Sequence, residues 1–255
     1  MDPRRDALLC AAAALAGAVN SIAGGGTLLS FPAALAWGLP STIANATNSV
    51  ALMPGSLASA WAYRREIRKS ASLARLLVPP AVVGSIAGAL LLHVTPVRVF
   101  DAIIPWLVLG ATLMILFQGR VASAPPSSPP TPEKARRRAL IAAGCQLAVG
   151  VYGGFFGAAM GIVMLAFLSL VVSEDIHHKN ALKNLLAVAI NGVAAIYFVA
   201  AGLVNARAAA IMTVGAVTGG FIGGQLARRV PARVVRGVVV SIGLGLSALL
   251  AYRAW

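Results

Sequence analysis

The sequence predicts an all-α polytopic membrane protein with about eight hydrophobic helical segments in two repeat halves. Of its 255 residues, 59% are hydrophobic and only 11% are charged, whereas a soluble domain carries about 25% charged residues. The charges also cluster between apolar runs that are long enough to cross a lipid bilayer. A third observation, a glycine-rich interruption in two of these runs, predicts how the segments are arranged.

The basic residues indicate which loops of a membrane protein face the cytoplasm. The net charge of +14 does not indicate nucleic-acid binding, because no soluble domain is predicted that could present a basic surface. In a membrane protein, Lys and Arg instead mark cytoplasmic loops. The N-terminal sequence MDPRRDALLCAAAALAG resembles a signal peptide. Because further hydrophobic segments follow it, we interpret it as a retained first membrane segment.

The apolar runs divide the chain into two halves. The first uncharged stretch covers residues 7–63, and the runs after it cover 76–92, 102–117, 139–173, 184–206, 208–227 and 234–252. Residues 118–138, QGRVASAPPSSPPTPEKARRR, are rich in Pro, Ser and basic residues, which is typical of a flexible linker. We therefore expect a first repeat half at 1–117 and a second at 139–255, each with one broken segment and three spans.

An offset of 136 residues aligns the two halves. The clearest local match is GSIAGALL against GFIGGQLA, which pairs Gly84 with Gly220 and Gly88 with Gly224. The same offset pairs Asn48 with Asn184. Internal repeats of this kind are a feature of secondary transporters, although glycines in apolar segments also serve close helix packing.

Each half opens with a run that is too long for one crossing. As straight helices, the runs 8–39 and 139–173 would each be about 50 Å long, against a hydrocarbon core of about 30 Å. Glycines lie near the middle of each run: Gly24, Gly25 and Gly26 in the first, Gly153, Gly154, Gly157 and Gly161 in the second. Each run therefore either breaks and continues across the membrane, or turns and re-emerges on the side it entered.

The distribution of basic residues favours the second arrangement. If both long runs are re-entrant, one side of the membrane carries sixteen of the 21 Lys and Arg residues. The other side then carries only Arg4, Arg5, Arg98, Arg207 and Arg253. If both runs cross fully, one side of the membrane carries 14 Lys and Arg residues and the other carries seven. The positive-inside rule prefers the stronger bias, which predicts an inverted repeat with both termini outside; eight parallel spans are the alternative.

The glycine turns are candidate binding elements. Non-helical backbone at membrane depth is tolerated only where protein buries it or water reaches it. A turn exposes N–H groups, and a helix that starts there adds a partial positive charge. We therefore expect Gly24, Gly25 and Gly26 in the first half and Gly157 in the second to contribute to an anion site. Helix packing is the alternative role.

Polar residues inside the apolar runs complete the predicted site. NATNS in the first half corresponds to NALKNLLAVAIN in the second, and the candidate ligands are Asn45, Thr47, Asn48, Asn180, Lys183 and Asn184. Amide groups can donate hydrogen bonds to an oxyanion, and an ionisable residue at the mouth of a span is functional by default. The alternatives are interhelical bonding between Asn48 and Asn184, helix capping by Asn45 and Asn180, and a lysine that extends to the interface.

These motifs resemble the two halves of the sulfite exporter TauE/SafE family. The resemblance runs from about Leu8 to Leu250 and rests on AGGGTLLSFPAALAWGLPSTIANATNS and on GVYGGFFGAAMG followed by DIHHKNALKN. It implies a permease of the bacterial inner membrane for sulfite, sulfoacetate or other organosulfonates. This chain has FFGAAMG at the second turn, so the resemblance does not imply that the two turns bind alike.

We therefore expect a secondary carrier that moves a small anion across the cytoplasmic membrane by alternating access. Membrane lipid is the other expected partner, and no nucleic acid, metal or cofactor is expected. The sequence contains no P-loop, HExxH or GxSxG motif, so neither ATP drive nor an intramembrane enzyme is supported. A non-transporting partner or assembly subunit is the other alternative.

Overall fold

The computed structural model describes residues 2–22, 25–117, 132–171, 176–226 and 232–254. These residues form helices joined by short connections, and no strand occurs among them. The predicted all-α class is confirmed over this part of the chain. The first half contains α1 (Pro3–Ile22), α2 (Thr27–Trp37), α3 (Ser41–Ala62), α4 (Arg64–Lys69), α5 (Ala71–Val94) and α6 (Val97–Phe117). The second contains α7 (Pro132–Phe155), α8 (Met160–Val171), α9 (Ile176–Ala200), α10 (Ala206–Leu226) and α11 (Ala232–Ala254).

Part of the predicted linker is helical. Helix α7 begins at Pro132, a residue that suits the first helical position because its missing N–H would have no partner there. The good helix formers of EKARRRA continue the helix into the apolar run. Residues 132–138 therefore extend a helix, whereas 118–131 lie outside the described residues.

Five of the described helices are long and apolar enough to cross a membrane. The segments are Ala71–Val94, Val97–Phe117, His178–Ala200, Ala206–Gly223 and Val234–Tyr252. Helix α2 and the apolar part of α7, Ala139–Phe155, are shorter. Several membrane-crossing helices are therefore confirmed, and the number of about eight segments stays a prediction.

The outward faces of these helices carry large apolar side chains. Trp106, Ile196 and Phe221 are each more than half exposed. In water such faces would drive association, but in a bilayer they contact lipid chains that are equally apolar. Alanine is the most frequent residue in the interior of the bundle, and bulky aromatic residues occur in a few places.

Small residues bring two pairs of helices into backbone contact. A Cβ placed on Gly219 of α10 would lie 1.8 Å from the carbonyl oxygen of Ala14 on α1. On α5, a Cβ at Gly88 would lie 2.1 Å from the carbonyl oxygen of Val151 on α7. These distances are far inside van der Waals contact, so the helices can approach this closely only with glycine at these positions.

The helix packing follows a regular order. Helix α1 packs along α10, and α5 packs along α7. Helix α3 contacts α9 and α10, α9 contacts α5 as well, and α6 packs against α11. The helices that follow the two breaks, α2 and α8, each pack against the long helix that precedes them and the long helix that follows. Both contribute buried side chains, among them Phe31 and Met164, so both pack into the interior of the bundle.

Candidate substrate site

The first long apolar run is broken between α1 and α2, where the predicted glycines lie. Gly25 has φ of 87°, a left-handed conformation that only glycine adopts without strain. The backbone N–H of Gly26 donates to Oδ1 of Asn20 over 2.8 Å, so the last turn of α1 holds the residue that immediately precedes α2. Gly24 lies outside the described residues.

After this break the chain runs back along α1. The indole Nε1–H of Trp37, the last residue of α2, donates to Oδ1 of Asp6 in the first turn of α1 over 2.9 Å. Arg207, near the start of α10, forms an ion pair with the same carboxylate. The end of α2 and the start of α1 are therefore adjacent, which requires a reversal of direction at the glycines.

The second run is broken between α7 and α8. Gly157 has φ of 74° and Ala159 has φ of 58°, so two residues of the turn are left-handed. The hydroxyl of Tyr152 donates to the carbonyl oxygen of Ala158 over 2.6 Å, which ties the turn to the last helical turn of α7. Beyond the turn, Met160 packs against Gly153 of α7.

The two broken regions meet through aromatic rings. Phe31 of α2 and Phe156 of the second turn are in edge contact, with ring centroids 5.6 Å apart. Phe100 of α6 contacts Phe155 at 5.4 Å. The first half and the second turn are thus packed against each other in one buried apolar cluster. Whether the two glycine turns converge on one binding site stays a prediction.

The predicted site residues of α3 are buried, and they differ in their hydrogen bonds. Nδ2 of Asn45 donates to the carbonyl oxygen of Phe155 over 2.8 Å. The hydroxyl of Thr47 accepts a hydrogen bond from the backbone N–H of Asn205 over 3.1 Å. Oδ1 of Asn45 and Oδ1 of Asn48 are buried and have no hydrogen-bond partner among the described residues.

On α9, Lys183 reaches the start of a broken helix. Its aliphatic chain packs over Gly161 in the first turn of α8, where a Cβ would lie 3.4 Å from the lysine Cδ. Asn180 and Asn184 lie half-buried on the same helix. No hydrogen bond joins Asn48 to Asn184 within the described chain. The interhelical side-chain bond between α3 and α9 instead runs from Nδ2 of Asn191 to Oγ of Ser56, over 3.4 Å.

Several polar residues of this region were missed by sequence reasoning. Asp6, Trp37 and Arg207 connect three helices, and the hydrogen bonds from Arg207 and Trp37 hold the pKa of the Asp6 carboxyl below its usual range. Gln146 on α7 is fully buried, and neither amide atom has a partner among the described residues. Two sequence signals could have identified these residues. Asp6 is a single acidic residue just before an apolar run, and Gln146 is a lone amide within an apolar run.

The described residues contain no group of three or more His, Cys, Asp or Glu side chains that could hold a metal ion. The polar atoms at the breaks are amides, hydroxyls and backbone groups, and α9 adds two lysines, Lys179 and Lys183. These groups can offer hydrogen bonds and positive charge to a small ligand.

A helical bundle with several apolar crossings and glycine-broken helices packed inside it defines a multi-pass protein of the cell membrane. The family model of the sulfite exporter TauE/SafE matches residues 9–250. The chain belongs to this family of membrane transporters, as the sequence motifs predicted.

Curated relatives cover nearly the same length. The "probable membrane transporter protein YfcA" of Escherichia coli K12 is 33% identical over 247 residues, covering 94% of this chain and 87% of the relative. A "probable membrane transporter protein" of Haemophilus influenzae is 23% identical over 248 residues, covering 96% and 94%. "Probable membrane transporter protein ORF9" of Sinorhizobium sp. is 28% identical over 250 residues, covering 96% and 91%. No solved structure matches the chain.

Proposed function

We propose that the protein is a secondary carrier that moves a small anion, sulfite or an organosulfonate, by alternating access of its two halves. The observation that carries the proposal is the position of Lys183 on the first turn of α8. A helix N-terminus has partial positive charge and free N–H groups. An ammonium group beside it adds a full positive charge, and the two together favour an anion.

The order of helix packing supports a repeat. Suppose that α1, α2, α3, α5 and α6 of the first half correspond, in this order, to α7, α8, α9, α10 and α11 of the second. The counterpart of the α1–α10 pair is then the α7–α5 pair, and both pairs are in close contact. The same correspondence converts the α3–α10 contact into the α9–α5 contact, and it leaves the α3–α9 and α6–α11 pairs unchanged. A bundle of two equivalent halves has this property, and transporters bind substrate at the interface between such halves.

Individual contacts support an offset of 135 residues between equivalent positions of the two halves, for the helices that follow the breaks. The sequence comparison gave an offset of 136. Ser56 and Asn191 contact each other across the α3–α9 pair and differ by 135 in number. Two residues on a two-fold axis contact their own counterparts in this way. With this offset, Gly88 on α5 corresponds to Gly223 on α10, and each packs on the backbone of the opposite half's first helix. Asn48 then corresponds to Lys183.

The re-entrant arrangement is supported by the reversal at the first break. The contact between Trp37 and Asp6 requires α2 to return towards the side where α1 begins. In the alternative with both runs crossing fully, the end of α2 and the start of α1 would lie on opposite sides of the membrane. The re-entrant arrangement would also place sixteen of the 21 Lys and Arg residues on one side of the membrane, a stronger bias than full crossing gives.

The membrane potential is a sufficient driving force for export. An anion that leaves a cell with a negative interior gains about 2.3 kcal/mol per charge per 100 mV. This gain corresponds to roughly a fiftyfold concentration ratio. A carrier with this substrate needs no ATP, in agreement with the absence of a P-loop in the sequence.

The test is counterflow of labelled sulfite in proteoliposomes that contain the purified full chain. We expect the wild type to exchange sulfite, with sulfoacetate competing. Lys183→Gln should reduce exchange at least tenfold, whereas Lys183→Arg should retain part of it because the positive charge remains. The matched control is Lys69→Ala, which removes an exposed lysine from α4 and should leave exchange unchanged. Elution as a single species in size exclusion establishes that each variant is folded.

Two results would contradict the proposal in different ways. Normal exchange by Lys183→Gln would remove this lysine from the site and leave it as a residue that merely extends to the interface. No exchange of any tested sulfur anion by the wild type would contradict the anion carrier itself, and a non-transporting role in the membrane would then be favoured.

A further inference from the structure

Lys179, in the first turn of α9, is buried without a counter-charge. The residue is 8% exposed, and lysine is almost never buried to this extent unless an opposite charge pairs with it. The ion pairs formed among the described residues join Arg5 to Asp2 and Arg207 to Asp6, so no described carboxylate pairs with this lysine. The start of a helix also carries partial positive charge, which makes the position still less favourable for a cation.

Lys183 lies one helical turn further along the same face of α9. Like charges four residues apart on a helix repel each other, and Lys183 is itself only partly exposed. Its aliphatic chain packs over Gly161 at the start of α8, where the N-terminus of a second helix adds partial positive charge. The two lysines and the start of α8 therefore concentrate positive charge in a region that is largely closed to water.

The neighbouring helices do not supply the missing negative charge. Helix α4 packs against α9, and its sequence RREIRK contains four basic residues and one acid, Glu66. Glu66 takes part in neither of the ion pairs found among the described residues. Helix α8 contains no charged residue. Positive groups gathered in one confined region attract anions and raise their local concentration.

The fold does not require a lysine at this position. With the offset of 135 supported by the Ser56–Asn191 contact, Lys179 corresponds to Ala44 of the first half. Ala44 is fully buried, so a methyl group fills the equivalent position there. The unfavourable burial of a charge is therefore specific to the second half, and a ligand of opposite charge accounts for it.

We propose that Lys179 and Lys183 together bind one doubly charged oxyanion, to which each lysine donates hydrogen bonds from its ammonium group. The inference rests on the proposed function and narrows its substrate from small anions in general to dianions, such as sulfite and sulfoacetate. A dianion neutralises both lysines. A singly charged sulfonate such as methanesulfonate leaves one lysine uncompensated, which is costly inside a membrane protein. Two lysines with Cβ atoms about 5–6 Å apart have side chains long enough to converge on one anion.

The first measurement tests binding without transport. The purified full chain in an uncharged detergent is heated at mildly alkaline pH in the sodium salts of sulfite, sulfoacetate or methanesulfonate, and the unfolding temperature is recorded. A ligand that binds only the folded state raises this temperature with its concentration, and equal ionic strength removes differences in screening. We expect a saturable increase with both dianions, and half-maximal concentrations at least about tenfold higher for methanesulfonate. Equal half-maximal concentrations for all three anions, or no response to the dianions, would overturn the proposal.

Variants locate the site. Lys179→Gln and Lys183→Gln should each weaken dianion binding at least about tenfold and methanesulfonate binding much less, so that each variant loses its selectivity for two charges. The matched control is Lys69→Gln, which removes an exposed lysine of α4 and should leave the selectivity unchanged. The readout is the ratio of half-maximal concentrations, so a general change in stability does not affect it. Wild-type selectivity in Lys179→Gln would overturn the assignment.

Two other sources of negative charge would give different results. Glu174 and Asp175 precede α9 and lie outside the described residues. If either were the partner of Lys179, Glu174→Gln or Asp175→Asn would lower the unfolding temperature, and Lys179→Gln would keep the wild-type selectivity for dianions. If an anionic lipid headgroup were the ligand, added phosphatidylglycerol would raise the unfolding temperature of the wild type but not of Lys179→Gln, and free dianions would have no effect. Either result would overturn the proposal.

The carrier and the dianion site fail separately. If dianions stabilise the wild type through both lysines while no sulfite exchange occurs in proteoliposomes, the carrier proposal is contradicted and the dianion site stands. If sulfite exchanges at the same rate in Lys179→Gln as in the wild type, and methanesulfonate competes as well as sulfoacetate, the dianion site is contradicted and the carrier stands.

Discussion

Replacing Gly219 with alanine should destabilise the protein by separating α10 from α1. The new Cβ would lie 1.8 Å from the carbonyl oxygen of Ala14 and 2.6 Å from its Cα. The obstructing atoms belong to the backbone, so no side-chain rotation relieves the clash. To reach an ordinary contact of about 3.5 Å, the Cβ and this oxygen would have to move apart by about 1.7 Å.

The magnitude follows from the loss of packing between the two helices. Forcing an extra methyl group into a filled space costs about 1–3 kcal/mol, and the separation also weakens the neighbouring contact at Gly223. A suitable control is Gly237→Ala on α11, where a Cβ meets nothing within 4 Å. At that position alanine should stabilise the helix by up to about 1 kcal/mol. The two variants should therefore differ by about 1–4 kcal/mol.

Thermal unfolding in detergent measures this difference. For a protein of this size, 1 kcal/mol shifts the unfolding temperature by about 2–4 °C, so the unfolding temperatures of the two variants should differ by roughly 2–16 °C. Gly88→Ala on α5 should behave like Gly219→Ala, because its Cβ would lie 2.1 Å from a carbonyl oxygen of α7. Equal unfolding temperatures for Gly219→Ala and Gly237→Ala would refute the close contact between α1 and α10.

Three further predictions concern single contacts. Asp6→Asn should lower stability near neutral pH. The pKa of Asp6 is depressed in the folded state, so the stability it contributes is present above its unfolded pKa of about 3.9 and is lost as pH falls through the folded pKa. The gap to wild type should thus narrow in acid, and a pH-independent gap would contradict the charge effect. Gly25→Ala should destabilise the protein for two reasons: alanine is strained at a φ of 87°, and its Cβ would lie 2.5 Å from Cδ1 of Ile115. Adding Ile115→Ala to this variant should remove the steric clash but not the backbone strain, so the unfolding temperature should recover only in part. A double-mutant cycle of Ser56→Ala and Asn191→Ala should give a coupling of about 0.6 kcal/mol, because the bond is long, and a coupling indistinguishable from zero would remove this contact from the argument for the repeat axis.

The sequence predicted the positions of the breaks because the reason for them is local. Gly25 and Gly157 adopt positive φ, and this freedom belongs to the residue type wherever it occurs. The helical membrane class was equally local, since it depends on runs of apolar residues. The uneven distribution of basic residues could also be predicted from the sequence, because each basic cluster follows the end of an apolar run.

Contacts between distant residues could not be predicted in this way. Trp37 and Asp6 are joined by a hydrogen bond that depends on the reversal of the chain and on the length of α2. The direction in which an asparagine points is also non-local: the orientation of Asn45 is set by Phe155, in the other half of the chain. Sequence reasoning therefore named Asn45 as a candidate donor to an anion, with helix capping as the alternative, and could not predict its bond to Phe155.

That difference changes how the two halves would work together. With Asn45 bound to Phe155, the polar face of α3 is engaged with the second half, while Lys183 and the start of α8 offer positive charge. On the carrier proposed above, a bound anion compensates the charge of Lys183. Because burying an uncompensated charge in the membrane is costly, the loaded form should rearrange faster than the empty form. Exchange of sulfite should therefore be faster than its net efflux, which requires the empty carrier to return, and this difference should shrink in Lys183→Gln. Equal rates of exchange and net efflux in the wild type would contradict this charge compensation.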